Sequence, residues 1–206
     1  MRIQVGLLAS ESAPIWRTTS DEAGRGLFTL AEGILVESGL RIGEIDAFIF
    51  CEGPGSMLGT RTVAMALRTW QALKSRPCFA YQSLAVAGHY EWLQNGRQDF
   101  AIIADARRDS WHRQHFQSDG EKTLLQRIPT AELMEESLVT PEHFRVWATP
   151  PYPSRECSYD LAKIFPTLGE NEFFRAVEEP DAFQHEAPEY KKWAAQVHSV
   201  ETANKK

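Results

Sequence analysis

The chain has 206 residues, enough for one large domain or two small lobes. It is 43% hydrophobic and 24% charged, the composition of an ordinary folded protein. Its formal net charge of −6 excludes a surface that grips nucleic acid over its whole extent, but leaves room for a local basic patch. Cys51, Cys78 and Cys157 are odd in number, and the first two lie in apolar, strand-like runs. They read as reduced, buried thiols rather than a disulfide framework, and their spacing is not that of a zinc site. No stretch approaches the roughly 18 apolar residues of a membrane span, and no cleavage-site pattern follows Met1-Arg2-Ile3, so the expected location is the cytoplasm, with no membrane partner.

Residues 3–9 read as a buried strand and 14–18 as a second, joined as a hairpin around Ser10-Glu11-Ser12. Residues 26–40 read as a helix. Leu27, Leu30, Ala31, Ile34, Leu35 and Ser38 follow the 3.6-residue period, and Gly39 is the expected stop. Phe28 and Val36 add apolar surface outside that stripe. Residues 45–51 read as a buried strand, followed by a glycine turn and a helix over 61–75. That helix carries one apolar line through Val63, Ala66, Leu67, Trp70 and Leu73, and a second through Met65, Thr69 and Ala72. A helix apolar on two sides is either central to a core or packed on both a core and a partner.

Residues 78–81 read as a strand. Ser83 caps a helix to about Gln94, which Asn95-Gly96 ends. A hinge is expected near 96–99. Residues 100–104, 110–117, 123–128 and 144–148 read as further strands, with a short capped helix over 130–133. Residues 149–154 read as a loop and 158–165 as a short helix, and the tail from 199 as disordered. The order strand, strand, helix, strand, helix, strand, helix, strand, strand implies an α/β fold with mixed sheets flanked by helices.

Two motifs carry chemistry. The first is Gly53-Pro54-Gly55-Ser56-Met57-Leu58-Gly59-Thr60-Arg61, with three glycines in seven residues at a strand-to-helix junction. Glycines there permit φ > 0 and close backbone approach, and N–H groups at a helix start suit an anion or a docked partner. It is neither a Walker loop, lacking the Gly-Lys-Ser/Thr ending, nor a Gly-x-Gly-x-x-Gly fingerprint, because Gly59 comes four residues after Gly55. Ser56 is expected to cap the helix, and Arg61 to sit in its first turn, against the dipole. The second motif is Asp105-Ala106-Arg107-Arg108-Asp109 at the end of a buried strand, readable as a solvated turn of ion pairs or as a functional strand end. No histidine pair has metal-binding spacing and no serine has a nucleophile-elbow context, so neither a metal nor a catalytic residue is expected.

Together these motifs resemble the TsaB family, also called YeaZ-like or glycoprotease-like. Its members carry Gly-Pro-Gly-Ser-Phe-Thr-Gly-Leu-Arg between a strand and a long helix; Gly53, Pro54, Gly55, Ser56, Gly59 and Arg61 match, with Met57-Leu58 in place of Phe-Thr. The family's Asp-Ala-Arg-Arg matches Asp105 to Arg108. The resemblance covers about residues 1–117. It implies an actin/Hsp70/sugar-kinase-like fold of two ribonuclease-H-like lobes, here 1–98 and a smaller 99–198, followed by the 199–206 tail. It further implies a non-catalytic partner of a TsaD-type protein in making N6-threonylcarbamoyladenosine in tRNA, with tRNA touched only through the complex. The helices at about 26–40 and 61–75 would form a dimer face through Leu27, Leu30, Ile34, Val63, Ala66, Leu67 and Trp70, giving a homodimer in isolation. The glycine turn and Arg61 would shape the partner interface, and Asp105, Arg107 and Arg108 would open the second lobe. No cofactor is implied beyond a nucleotide at a partner interface. The alternative is a nucleotide-binding module or a weak ATPase- or peptidase-like enzyme of the same superfamily. One departure bears on it: Gly6-Leu7-Leu8 stands where relatives carry Ile-Asp-Thr, and leucine cannot ligate magnesium.

Overall fold

The computed structural model describes residues 2–9, 12–169 and 172–183. The chain opens with a β-hairpin, β1 (Ile3–Leu7) and β2 (Ile15–Thr19), in antiparallel register with Gly6 opposite Trp16. A Cβ on Gly6 would lie 2.6 Å from the Trp16 ring, so the missing side chain is what lets the indole lie across β1. Helix α1 (Ala23–Ser38) covers this hairpin and comes closest at Gly26, where a Cβ would meet Ile3 at 2.6 Å. It stops where expected: Gly39 is left-handed at φ 70°, and the Leu40 N–H reaches back to the Leu35 carbonyl at 3.1 Å.

Strand β3 (Phe48–Gly53), helix α2 (Met57–Leu73) and strand β4 (Cys78–Gln82) form a parallel β-α-β unit. Helix α3 (Ser83–Gln94) follows with no loop. Its two faces serve two cores. Leu84 and Ala87 pack with Phe100, Ile102, Phe116 and Val139, while Ala85 and Val86 pack with Tyr81, Leu161, Ile164 and Phe173. A helix apolar on opposite sides is a buried connector, and α3 joins the two halves of the molecule in that way.

The second half holds β5 (Phe100–Asp105), β6 (Ser110–Phe116), β7 (Gln126–Pro129), β8 (Leu138–Pro141) and β9 (Ser154–Cys157), in the spatial order β7-β6-β5-β8-β9. β5, β6 and β7 pair antiparallel, whereas β8 pairs parallel to β5 and β9 parallel to β8, so the sheet is mixed. A single-turn α4 (Leu161–Ile164) then leads to β10 (Arg175–Ala176). β10 returns to the first half and adds antiparallel to β4, giving a three-stranded sheet β10-β4-β3.

The α/β class and the order of elements through β6 stand as expected. Several boundaries do not. α2 starts at Met57, four residues before the expected 61, because Ser56 accepts the Gly59 N–H and starts the helix there. α1 starts at Ala23 rather than 26. The expected strand over 144–148 is irregular, because its amides turn inward to Asp105. The strand expected over 123–128 is only Gln126–Pro129. β8, β9 and β10 carry no sequence signal of their own: β9 is a polar edge of Ser, Arg and Glu before Cys157, and β10 has two residues. Ser10, Glu11, the end of the expected second lobe and the 199–206 tail lie outside the described residues.

Candidate functional site

Both motifs sit at the carboxyl ends of strands, one after β3 and one after β5. The glycine turn begins at Gly53, whose φ of 127° is closed to other residues. The pairing with β4 shifts register between Cys51 and Gly53, and the Gly53–Pro54 peptide is cis. From there the chain's own groups pair part of the turn. The Ser83 hydroxyl, at the start of α3, donates to the Pro54 carbonyl. Ser56 Oγ accepts the Gly59 N–H at 3.2 Å, and the Ser56 carbonyl accepts the Thr60 N–H at 2.8 Å. A Cβ on Gly59 would lie 3.3 Å from Ser56 Cβ, so glycine fits the tight cap, whereas Gly55 faces open space. Arg61 is the fifth residue of α2 and exposed, past the first turn where it had been expected.

The residue just before the turn decides its electrostatics. Glu52 is buried at 6% exposure, with Arg175 Nη2 at 2.6 Å and Gln82 Nε2 at 3.4 Å from its carboxylate. Its carbonyl accepts the Phe183 N–H at 2.7 Å. Beside it opens a cleft of about 400 Å³, lined by Glu52, Arg175, Glu178, Glu179 and Asp181 among others. Arg68 of α2 reaches two of these carboxylates, Glu179 at 3.2 Å and Asp181 at 3.5 Å. This acid-rich wall disfavours an anion at the glycine turn. Burial pushes the neighbouring Cys51 thiol up to about 11, so it stays protonated near neutral pH and is no nucleophile there.

The helix pair shows two different faces. Leu27, Ile34, Ala66 and Leu67 are buried, and Leu30, Val63 and Trp70 are half-buried. Val63, Leu67 and Trp70 pack on Phe48, Phe50, Cys78 and Ala80 beneath α2. Four of the seven are buried within the chain and three remain half-exposed, so the inner faces of both helices are largely packed. The outward apolar surface is a different set: Phe28 (50% exposed) and Val36 (76%) on α1, with Leu58 (63%) and Met65 (58%) on α2. Leu58, Arg61, Met65, Thr69 and Ala72 recur at helical spacing along one side. Phe28 meets Trp70 edge-on at 6.1 Å and ties the two helices together.

The arginine turn is built otherwise. Arg107, Arg108 and Asp109 all have positive φ, at 61°, 51° and 54°, without a glycine among them. One carboxylate organises the turn: Asp105 Oδ1 accepts the Arg107 N–H at 2.6 Å, and Oδ2 accepts the Trp147 and Ala148 N–H groups at 2.6 and 2.8 Å. Asp105 thereby fastens the 144–148 loop beside the turn, and a cleft of about 350 Å³ lies between them. Arg107 and Arg145 both lie over the Trp147 ring, at 5.0 and 3.9 Å from its centroid. Among the described residues neither Arg107 nor Arg108 pairs with an aspartate, so the turn of ion pairs read from the sequence does not form. Glu52, Arg175, Arg145 and Trp147 had not been singled out. Glu52 alone left a local sign, a carboxylate closing an apolar strand; the others are brought in from distant loops.

No family model and no curated protein matches this chain. Among solved structures, YeaZ from Pseudomonas aeruginosa superposes with a TM-score of 0.61 at 16% identity, over 80% of this chain and 84% of that one. A second P. aeruginosa structure, of a protein described by its similarity to peptidase YEAZ, superposes with a TM-score of 0.60 at 16% identity and the same coverage. At such identity the likeness is one of fold, and the chain is a divergent protein with the fold of YeaZ.

Proposed function

We propose that this chain is a non-catalytic scaffold that pairs with a TsaD-type protein and supports the making of N6-threonylcarbamoyladenosine in tRNA. The YeaZ fold and the match at both motifs support the reading. The observation that carries it is the outward apolar surface of α1 and α2: Phe28, Val36, Leu58 and Met65 are all at least half exposed on helices whose inner faces are already packed. Such a surface favours association, as a homodimer when the protein is alone and as a heterodimer when its partner is present. Asp105 and Glu52 are occupied within the chain, and the Cys51 thiol is protonated, which fits a subunit without chemistry of its own. In this reading the two halves correspond to the two ribonuclease-H-like lobes of an actin/Hsp70/sugar-kinase-like fold, and the complex works in the cytoplasm.

Co-expression with the TsaD-type protein of the same genome, followed by light scattering, tests the proposal. A one-to-one complex is expected, weakened at least tenfold by Met65→Arg, since a charge desolvated at the centre of an interface is strongly unfavourable. Ala66→Arg is no substitute, because Ala66 is buried and that variant would attack the fold. A monomer that ignores the partner at high concentration would defeat the reading. Magnesium-dependent ATP turnover by the isolated chain would replace it with the enzymatic alternative.

A further inference from the structure

We infer that the arginine turn and Trp147 form a binding site for an unpaired nucleotide of an RNA chain, with the base stacked on the indole and the backbone phosphates held by Arg107 and Arg108. This inference does not depend on the scaffold reading. It starts from three features that a merely structural turn does not need. The first is strain: three successive non-glycine residues hold positive φ, and two of them are arginines with no carboxylate partner among the described residues. Glycine or asparagine would make the same turn more easily, so keeping arginine there points to a use for the guanidinium groups.

The second feature is an exposed tryptophan. Trp147 is 56% exposed, although its backbone is fixed by the Asp105 carboxylate. Among the described residues the guanidiniums of Arg107 and Arg145 lie over its indole. Stacking of a nucleobase on an indole outweighs a solvent-exposed cation–π contact. An incoming base can therefore displace the more distant guanidinium, Arg107 at 5.0 Å, which then becomes free to pair with a phosphate. The third feature is charge. The turn and the loop beside it carry Arg107, Arg108 and Arg145 against Asp105 and Asp109, and Asp105 already accepts three N–H groups. The chain as a whole carries −6, so this is a local basic patch on an acidic protein.

The shape of the cleft selects between sources of a nucleotide. At about 350 Å³ it is open to solvent, lined by the turn on one side and Trp147 and Ala148 on the other. A free nucleotide is usually enclosed on most sides, whereas a stacking platform beside basic side chains suits a strand that runs past.

Fluorescence anisotropy of the full chain with a labelled, unstructured twelve-nucleotide oligouridylate tests this. We expect saturable binding that weakens about sevenfold when salt is raised about fourfold, as two phosphate contacts on a single strand require. Trp147→Ala should weaken it about tenfold while Trp147→Phe holds it within about threefold, because phenylalanine keeps a stacking face. Arg107→Ala with Arg108→Ala should weaken binding more than tenfold. All these side chains are exposed, and circular dichroism with thermal melts checks that the variants fold. Binding that ignores both the Trp147 and arginine substitutions would overturn the site. So would inorganic polyphosphate competing as well as RNA, since it offers charge without a base. If uridine monophosphate competes as well per nucleotide as the oligomer, the base-and-phosphate chemistry stands and the RNA chain as ligand is overturned.

Discussion

The turns after β3 and β5 meet the same demand, a sharp reversal at the end of a buried strand, with opposite chemistry. The first uses glycine where φ must be 127°, a serine to cap the next helix, and a second serine to hold the Pro54 carbonyl. Its unusual composition is consumed in making the fold. The second forces arginines and an aspartate into left-handed backbone and holds them with one carboxylate, and among the described residues the guanidiniums pair with no carboxylate. A motif rich in glycine invites a ligand reading, yet here the Pro54 carbonyl, the Ser56 hydroxyl and the Gly59 and Thr60 amides are paired within the chain. The turn that tolerates strain leaves groups free to bind something else.

The comparison can be broken hardest at Asp105. Asp105→Ala removes three bonds from backbone N–H groups to one carboxylate, which should cost about 3 kcal/mol, since hydrogen bonds to charged groups are worth about 1.5–3 kcal/mol each before discounting for partial exposure. For a chain of this size that is a fall in melting temperature of about 10 °C. Asp105→Asn should recover part of it. If thermal melting of Asp105→Ala matches the parent, the carboxylate does not organise the turn and the contrast fails.

The next effect belongs to the other turn. Arg175→Ala strands the buried Glu52 carboxylate, whose guanidinium partner lies at 2.6 Å. Breaking a fully buried pair costs about 3–5 kcal/mol, but the Arg175 side chain is 65% exposed, so about 2 kcal/mol is expected. Adding Glu52→Gln to Arg175→Ala should restore more than half, because a neutral amide does not need the counter-charge. A denaturant series on both variants reads this directly. Non-recovery would mean that Arg175 acts by packing β10 onto β4 rather than through charge.

Legibility differed between these regions for physical reasons. The strands β1 to β6 and the helices α1 to α3 were readable, because each buries a face of its own and so carries a period. The apolar lines on α2 were readable too, but periodicity does not say which line faces inward. Of the line through Val63, Ala66, Leu67, Trp70 and Leu73, Val63, Leu67 and Trp70 pack on β3 and β4 while Leu73 is exposed; Met65, Thr69 and Ala72 of the other line are exposed. α2 begins at Met57 rather than 61 because the Ser56 hydroxyl caps the Gly59 amide, a start that the apolar period alone does not mark. Trp147 and Arg175 were invisible for another reason. They meet Asp105 and Glu52 only because separate loops return from 42 and 123 residues away, and nothing local announces such a return.

A smaller effect tests the glycine turn as scaffold. Ser56→Ala removes the side-chain cap of α2 and should cost about 1 kcal/mol, with no change in RNA binding at the arginine turn. Differential scanning calorimetry alongside the anisotropy titration separates the two readouts. A loss of RNA affinity at constant melting temperature would reverse the assignment, making the glycine turn the ligand site.

The smallest effect is the sharpest, because its sign is opposite for stability and for binding. Arg108→Gly relieves a φ of 51° that costs an L-residue about 1 kcal/mol or more, and it gives back part of that gain as extra unfolded-chain entropy. The balance should stabilise the protein by about 0.5 kcal/mol, a rise in melting temperature of about 1–2 °C. The same substitution removes a guanidinium from the patch, so RNA affinity should fall several-fold. Gain of stability with loss of binding is what a strained functional turn requires. If Arg108→Gly lowers stability instead, the left-handed backbone is held by contacts of the arginine itself. The turn then belongs with the one after β3, as a structural device whose side chains are already in use.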